Sequence, residues 1–323
     1  MPKTLPTLDE CLAALPANRR VTAGSAWDLA VGFALNLRDF SRRSLLMDRP
    51  TSTIMRFTLL FALSGLGMMA APAEAVPPVT LPFTELRSLT STVIGQQFDL
   101  LVRLPDDYAT SGKSYPVLYV LDGWHFPLVA FLANNNVYSG KMRPVIMVNL
   151  SYPAGVNPKV PRARDFTPTK FTEREVNSGG AAAFLKFLAD EVIPYVDKTY
   201  RTIPTDRGLL GHSYGGLFAL YALEDRPDLF QRIVAASPVA GWDHRFLFKR
   251  AKAKLAHVAT PVRLDLSAAD ANDVTGVPEF EKLLASIDTG KLVHRFTLYP
   301  GENHNSIRLA SFPAGLYWVY QDK

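Results

Sequence analysis

Residues 207–223 read Arg-Gly-Leu-Leu-Gly-His-Ser-Tyr-Gly-Gly-Leu-Phe-Ala-Leu-Tyr-Ala-Leu, and this stretch decides the fold. Gly208–Leu210 is a short apolar run of strand character, and Gly216–Leu223 is an uncharged run of helical character. Between them stands Gly211-His212-Ser213-Tyr214-Gly215. A bare G-x-S-x-G recurs by chance in many chains. Placed between a strand and a helix, it becomes a nucleophile elbow, a turn that lifts a serine hydroxyl above the end of a sheet. The turn strains the serine backbone, so side chains two residues to either side must be absent, and Gly211 and Gly215 meet that need. The competing reading is a glycine-rich strand–helix turn with an idle serine.

Working outward from the elbow, apolar runs alternate with longer amphipathic stretches. Strands are expected at Gln97–Leu104, Pro116–Leu121, Val145–Leu150, Gly208–Leu210, Ile233–Ala236, Val262–Leu266 and Arg295–Tyr299. Several, such as Val117–Leu121, are continuously apolar, as strands covered on both faces are. Helices are expected at Gly179–Lys198, Gly215–Glu224, Asp243–Lys254, Pro278–Ile287 and within Ser306–Tyr320. The alternation predicts an α/β class fold, a mostly parallel sheet with helices on both faces. Residues 76–323 contain no repeat or linker and read as one domain. Ser151–Asn177, rich in Pro and Arg, reads as a long functional loop at the carboxyl edge of the sheet, where open α/β sheets bind ligands.

A serine at its ordinary pKa needs an adjacent base. Of six histidines, His304 follows the last expected strand, in the order nucleophile, acid, histidine that this kind of elbow uses. His212 lies inside the elbow and is expected to point away from the active face, and His257 and His294 read as surface or strand residues. His125 sits near an expected oxyanion loop. The acid should follow the strand at Val262–Leu266 and hold the imidazole in its working tautomer. Asp270 is the first choice, with Asp273, Glu302 or a dyad lacking an acid as alternatives. Two backbone N–H groups should bind the oxyanion. Tyr214, after the nucleophile, supplies one; Trp124, or else Gly123, supplies the other after the strand ending at Leu121.

These residues resemble the esterase branch of the α/β-hydrolase superfamily, which includes enterochelin (siderophore) esterases, S-formylglutathione hydrolase and the mycolyltransferases. The resemblance covers nearly all of 76–323. It rests on Asp122-Gly123, Arg162-Ala-Arg164-Asp165-Phe-Thr-Pro168, Phe184-Leu-Lys-Phe-Leu188 and Ile193-Pro-Tyr195. It continues through Gly211–Gly216, Ala236-Ser-Pro238 with Trp242, and Pro300-Gly-Glu-Asn-His304. The last block is similar to the siderophore-esterase type. The family acid is commonly Glu after a Gly-containing strand end, whereas Ser267-Ala-Ala-Asp270 stands here. The resemblance implies an α/β-hydrolase fold and a serine carboxylic-ester hydrolase acting on short acyl, aryl or siderophore-like esters. An acyltransferase, or a hydrolase-fold binding protein without catalysis, are the alternatives. His125, Arg162, Arg164 and Trp242 are the expected substrate contacts, with a structural Arg164–Asp165 ion pair as the rival reading. Only Ser237–Thr260 separate two central strands at the usual entry point of a lid, so no large cap is expected.

A net charge of +5 on 323 residues is too small and scattered to argue for nucleic acid. The single cysteine, Cys11, forms no intramolecular disulfide, and no Cys/His cluster suggests a metal; no cofactor is expected. The expected partner is a small-molecule ester. Met55–Ala75 reads as a signal peptide: Arg56, an apolar run from Phe57 to Ala70, then Ala73-Glu74-Ala75. Residues 1–54 read as an over-long N-terminal extension preceding a start at Met47 or Met55. Secretion or periplasmic export follows, with no stable membrane insertion after cleavage. Expression from Met55 is expected to yield an exported chain beginning at Val76, which N-terminal sequencing reads directly; an active cytoplasmic chain beginning at Met1 would overturn it.

Overall fold

The computed structural model describes residues 80–270 and 275–321. The proposed signal peptide, its cleavage site and the N-terminal extension lie outside them, as does Asp273. Pro78–Lys323 forms one compact unit. Its sheet has eight strands: β1 Thr84–Thr90, β2 Gln97–Arg103, β3 Tyr115–Val120, β4 Ile146–Ser151, β5 Thr202–His212, β6 Arg232–Ala236, β7 Val258–Ala268 and β8 Gly290–Leu298. The spatial order is β1-β2-β4-β3-β5-β6-β7-β8. β1 and β2 run antiparallel, β2 pairs antiparallel with β4, and all pairings from β4 to β8 are parallel. This is the mostly parallel sheet that the alternation predicted, in the arrangement that the resemblance to α/β hydrolases implied.

The helices are α1 Tyr108–Ser111, α2 Phe126–Tyr138, α3 Lys159–Phe166, α4 Ala181–Phe187, α5 Ile193–Thr199, α6 Tyr214–Asp225, α7 Trp242–Leu255, α8 Val277–Ala285 and α9 Ile307–Tyr320. They cover both faces, and the central strands show why those strands are continuously apolar. Along β3 and the residue after it, Val117, Tyr119 and Leu121 enter one core with Phe184, Phe187 and Phe218. Leu118 and Val120 enter the opposite core with Val129, Phe312 and Leu316. Successive strand side chains point to opposite faces, so a strand buried on both sides has no polar position.

Several features depart from the sequence reading. β1 was not anticipated: it is an edge strand, mostly exposed, and its sequence Thr-Glu-Leu-Arg-Ser-Leu-Thr has no apolar alternation. β5 begins six residues earlier than expected. Its first half contains Pro204, which cannot donate to a ladder; the register shifts between Tyr115↔Thr202 and Val117↔Arg207 and so leaves the proline out of that pairing. The helix expected over Gly179–Lys198 is divided by a π turn at Leu188–Val192. Pro194 follows at the start of α5, where its ring would collide with the carbonyl four residues back in a regular helix. Finally, Ser151–Asn177 is not one loop, because it holds α3 and the Phe171↔Glu175 bridge; Pro161 in the first turn of α3 hid the helix. The helix α2 was also missed, its end weakened by three consecutive asparagines.

The crossover from β6 to β7 consists of α7, whose Trp242, Leu247, Ala251 and Leu255 are buried. No cap is inserted there, as expected. Among the described residues no helix is long and apolar enough to cross a membrane.

Candidate active site

β5 ends at His212, α6 begins at Tyr214, and Ser213 between them has φ 61° and ψ −118°. A non-glycine residue held in such a region costs roughly 1–3 kcal/mol and persists only where its surroundings impose it. Here they do. The Ser213 N–H bonds the Ala236 carbonyl at 3.0 Å, while its own carbonyl accepts from Leu217 at 2.9 Å and Val239 at 3.3 Å. A Cβ on Gly211 would lie 2.2 Å from the Gly215 carbonyl oxygen, so no side chain fits. Gly215 differs from the expectation: a Cβ there meets nothing nearer than 3.4 Å, an ordinary contact. Gly216 is the second tight position, with Pro238 backbone at 3.0 Å.

The parallel strands bring the remaining candidates to the same edge. Ser213 follows β5, Asp270 follows β7 and His304 follows β8, and β5 to β8 are consecutive neighbours. The Tyr299 N–H bonds the Ala268 carbonyl at 2.9 Å, so the loops carrying Asp270 and His304 leave from adjoining points. Asp270 is exposed and His304 half-buried. Glu302 accepts a hydrogen bond from the Ser306 hydroxyl, a role within its own loop.

His212 does not point away from the site, contrary to expectation. Its ring lies 4.8 Å from the His304 ring, and its Nε2 is 2.6 Å from the His304 carbonyl oxygen. Burial, reinforced by His304, lowers its pKa to about 2. His125, expected to touch substrate, is only 1% exposed. It packs edge-on against His212 at 5.9 Å and Phe312 at 5.5 Å, and burial lowers its pKa to about 3. Neither ring is available to an ester, and both are neutral through the working pH range.

The other three expected substrate contacts are also committed elsewhere. Arg162 donates from Nε and Nη2 to the two carboxylate oxygens of buried Asp122, at 2.5 and 2.9 Å, and from Nη2 to the His212 carbonyl at 3.1 Å. Burial pushes the Asp122 carboxyl up, and Arg162 opposes that shift. Arg164 holds Asp165 at 2.7 and 3.1 Å and Gln96 at 2.9 Å, the structural ion pair of the rival reading. Trp242 is fully buried, donating to Thr169 at 3.0 Å and lying edge-on to Tyr214 at 5.6 Å.

The two expected oxyanion residues do come together. Asp122 (φ 67°) turns the chain after β3 into a tight turn, Gly123–His125. A Cβ on Gly123 would lie 2.1 Å from Ser151 Oγ, so only glycine lets this turn sit against β4. The Arg162 guanidinium carbon stands 5.4 Å from the Trp124 ring and 5.3 Å from the Tyr214 ring. One cation thus spans the two residues whose N–H groups are the candidate donors.

With this geometry in place, comparison with known proteins identifies the class. Residues 91–273, more than half the chain, match the family described as "Putative esterase". The chain belongs to that family: by family it is an esterase, by fold an α/β hydrolase. It is 30% identical over 185 residues to the ferri-bacillibactin esterase BesA of Bacillus subtilis, a match covering 53% of this chain and 63% of that protein. It is 29% identical over 281 residues to the siderophore triacetylfusarinine C esterase of Aspergillus fumigatus, covering 76% of this chain and 96% of that one. Among solved structures, the BES protein of Bacillus cereus superposes with a TM-score of 0.70 at 24% identity, over 78% of this chain and 100% of that one. The siderophore hydrolase EstB of Aspergillus nidulans gives 0.65, also at 24% identity, over 76% and 98%.

Two outcomes follow. Gly211→Ala should misplace the elbow and lose most activity, whereas Gly215→Ala should fold and retain activity within about tenfold; paired turnover and circular-dichroism melts check this, and equal behaviour would contradict the contact distances. The second concerns pH. A histidine whose folded pKa lies below its unfolded value of about 6.5 binds its proton only after unfolding, so stability falls as pH drops below 6.5, by up to about 1.4 kcal/mol per pH unit per histidine. For His125 the window closes near pH 3. His125→Phe should therefore flatten the decline of urea-unfolding free energy between pH 6 and 4 by about that slope. Comparison with wild type cancels the carboxylates that act in the opposite sense, such as Glu224, raised to about 8 by burial.

Proposed function

We propose that this chain hydrolyses carboxylic esters through an acyl-enzyme on Ser213, with His304 as general base and acid and Asp270 as the orienting carboxylate. The observation that carries the reading is the strained Ser213 at the β5–α6 junction, on the edge where the His304 loop also ends. Backbone strain at a serine with no task would be lost cheaply to mutation.

In the proposed cycle, His304 takes the proton from Ser213 Oγ as the oxygen attacks the ester carbonyl. The oxyanion accepts hydrogen bonds from the Tyr214 and Trp124 N–H groups, pre-oriented by the backbone. Collapse breaks the C–O bond of the alcohol, which leaves with the proton held by His304. A water then gives its proton to His304 and attacks the acyl carbonyl, and a second collapse frees the carboxylic acid and returns the proton to Ser213. Asp270 accepts from the imidazole and stabilises its cation.

The substrate reading is an ester of short, aryl or siderophore-like type. Support comes from the names of the relatives and from the short crossover over α7, kinked at Asp243–Arg245, with no cap. A long acyl tail needs a covered channel to leave water, at about 0.8 kcal/mol per CH₂. Ser213→Ala and His304→Ala should fold normally and each lose about three orders of magnitude or more in kcat, since members of the catalytic group act as a unit. Across an acyl-chain panel with a catecholate triester, kcat/KM should be highest for short and aryl or catecholate esters. Activity rising steadily toward chains of about twelve carbons would replace this reading with a lipase-like one.

A further inference from the structure

We propose that His212 is a positioning residue for the base: its ring anchors the loop bearing His304 to the strand bearing Ser213. This rests on the reading of Ser213 and His304 as nucleophile and base.

A carbonyl oxygen only accepts, so the 2.6 Å contact between His212 Nε2 and the His304 carbonyl requires the proton on Nε2. His212 is 5% exposed, with the His125 ring packed edge-on against it at 5.9 Å and Phe312 in turn packed against His125. Its backbone is held as well, since the Arg162 guanidinium donates to the His212 carbonyl at 3.1 Å. One residue is thus gripped from the side of the oxyanion turn while its side chain reaches the base loop. Other hydrogen bonds in that loop shape it from within: Asn303 Oδ1 accepts from Asn305 at 2.9 Å and Ser306 at 3.0 Å, and Ser306 bonds Glu302. The His212 bond instead fastens the loop to the elbow.

The neighbour's neutrality matters too. His304 becomes an imidazolium each time it takes the serine proton, with the His212 ring 4.8 Å away. A second cation at that distance would oppose the transfer. Deep burial keeps His212 uncharged, so it can hold the loop without repelling the cation or competing for the proton.

The test separates this role from simple core filling. His212→Leu fills the space without a donor, and His212→Gln offers an amide N–H near the Nε2 position. Hydrogen–deuterium exchange of the 300–306 segment and p-nitrophenyl acetate kinetics are measured for each. In the Leu variant, loop amides should exchange about tenfold faster or more while core strands keep wild-type protection, as loss of one buried hydrogen bond implies. Its kcat should fall about 10–100-fold with KM within about twofold, and the Gln variant should recover most of both losses. If Leu fails to fold, His212→Asn, whose shorter amide reaches only the Nδ1 position, should behave as Leu was expected to. Wild-type exchange in the donor-less variant, a loosened loop with kcat intact, or Gln no better than Leu would each overturn the proposal. Should Ser213→Ala turn over the ester as fast as wild type, the nucleophile reading fails instead, and the exchange comparison still decides whether His212 anchors the loop.

Discussion

The Arg162 guanidinium ties together three segments that are distant in sequence: the turn at Asp122, the helix α3 and the last residue before the nucleophile. Asp122 is fully buried, so its charge has no water to fall back on. Removing one partner from such a pair typically costs about 3–5 kcal/mol, because the other charge is left without compensation. The geometry of the pair is therefore enforced rather than optional. The Trp124 and Tyr214 rings both stand near the same cation, 5.4 and 5.3 Å from its central carbon. Arginine suits this position better than lysine, since its planar fork serves a carboxylate and a carbonyl together.

Around that anchor the site is assembled from constraints that exclude alternatives. Gly211 and Gly216 leave space that any side chain would fill, and hydrogen bonds from Leu217 and Val239 hold Ser213 in its strained conformation. His125 and His212 form a neutral aromatic wall beneath the His304 loop. Burial that would be costly for a charged imidazole is less costly for a neutral one, so two histidines serve as packing and hydrogen-bonding elements next to a third, the proposed base.

The segment expected to supply a recognition wall is braced against the rest of the fold. Arg162 and Arg164 are held by Asp122 and Asp165, and Phe166 is buried in the core with Phe184 and Phe218. The elements around the site also expose apolar side chains, among them Trp124 in the Gly123–His125 turn, Val160 on α3 and Leu309 on the first turn of α9.

The elbow was legible in the residues themselves because its requirements are local: a strand, a serine, a helix and glycines where the chain doubles back. The order of strands and the position of His304 after the last of them were legible for the same reason, since continuous apolar runs mark buried parallel strands. Roles were not legible where they depend on partners far along the chain. Arg162, His125 and Trp242 look like recognition residues by type and spacing, but the fold places Asp122, Phe312 and Thr169 beside them and buries His125 and Trp242. His212 was misjudged because strand alternation says which face a side chain takes but not what that face meets; here a loop more than ninety residues later folds back over it. The sequence by itself determined the class of fold and the strained serine turn between strand and helix, which follow from local backbone chemistry. Only the tertiary structure decided which charged and aromatic side chains are buried in pairs and which remain free, because burial and pairing are properties of the packed molecule.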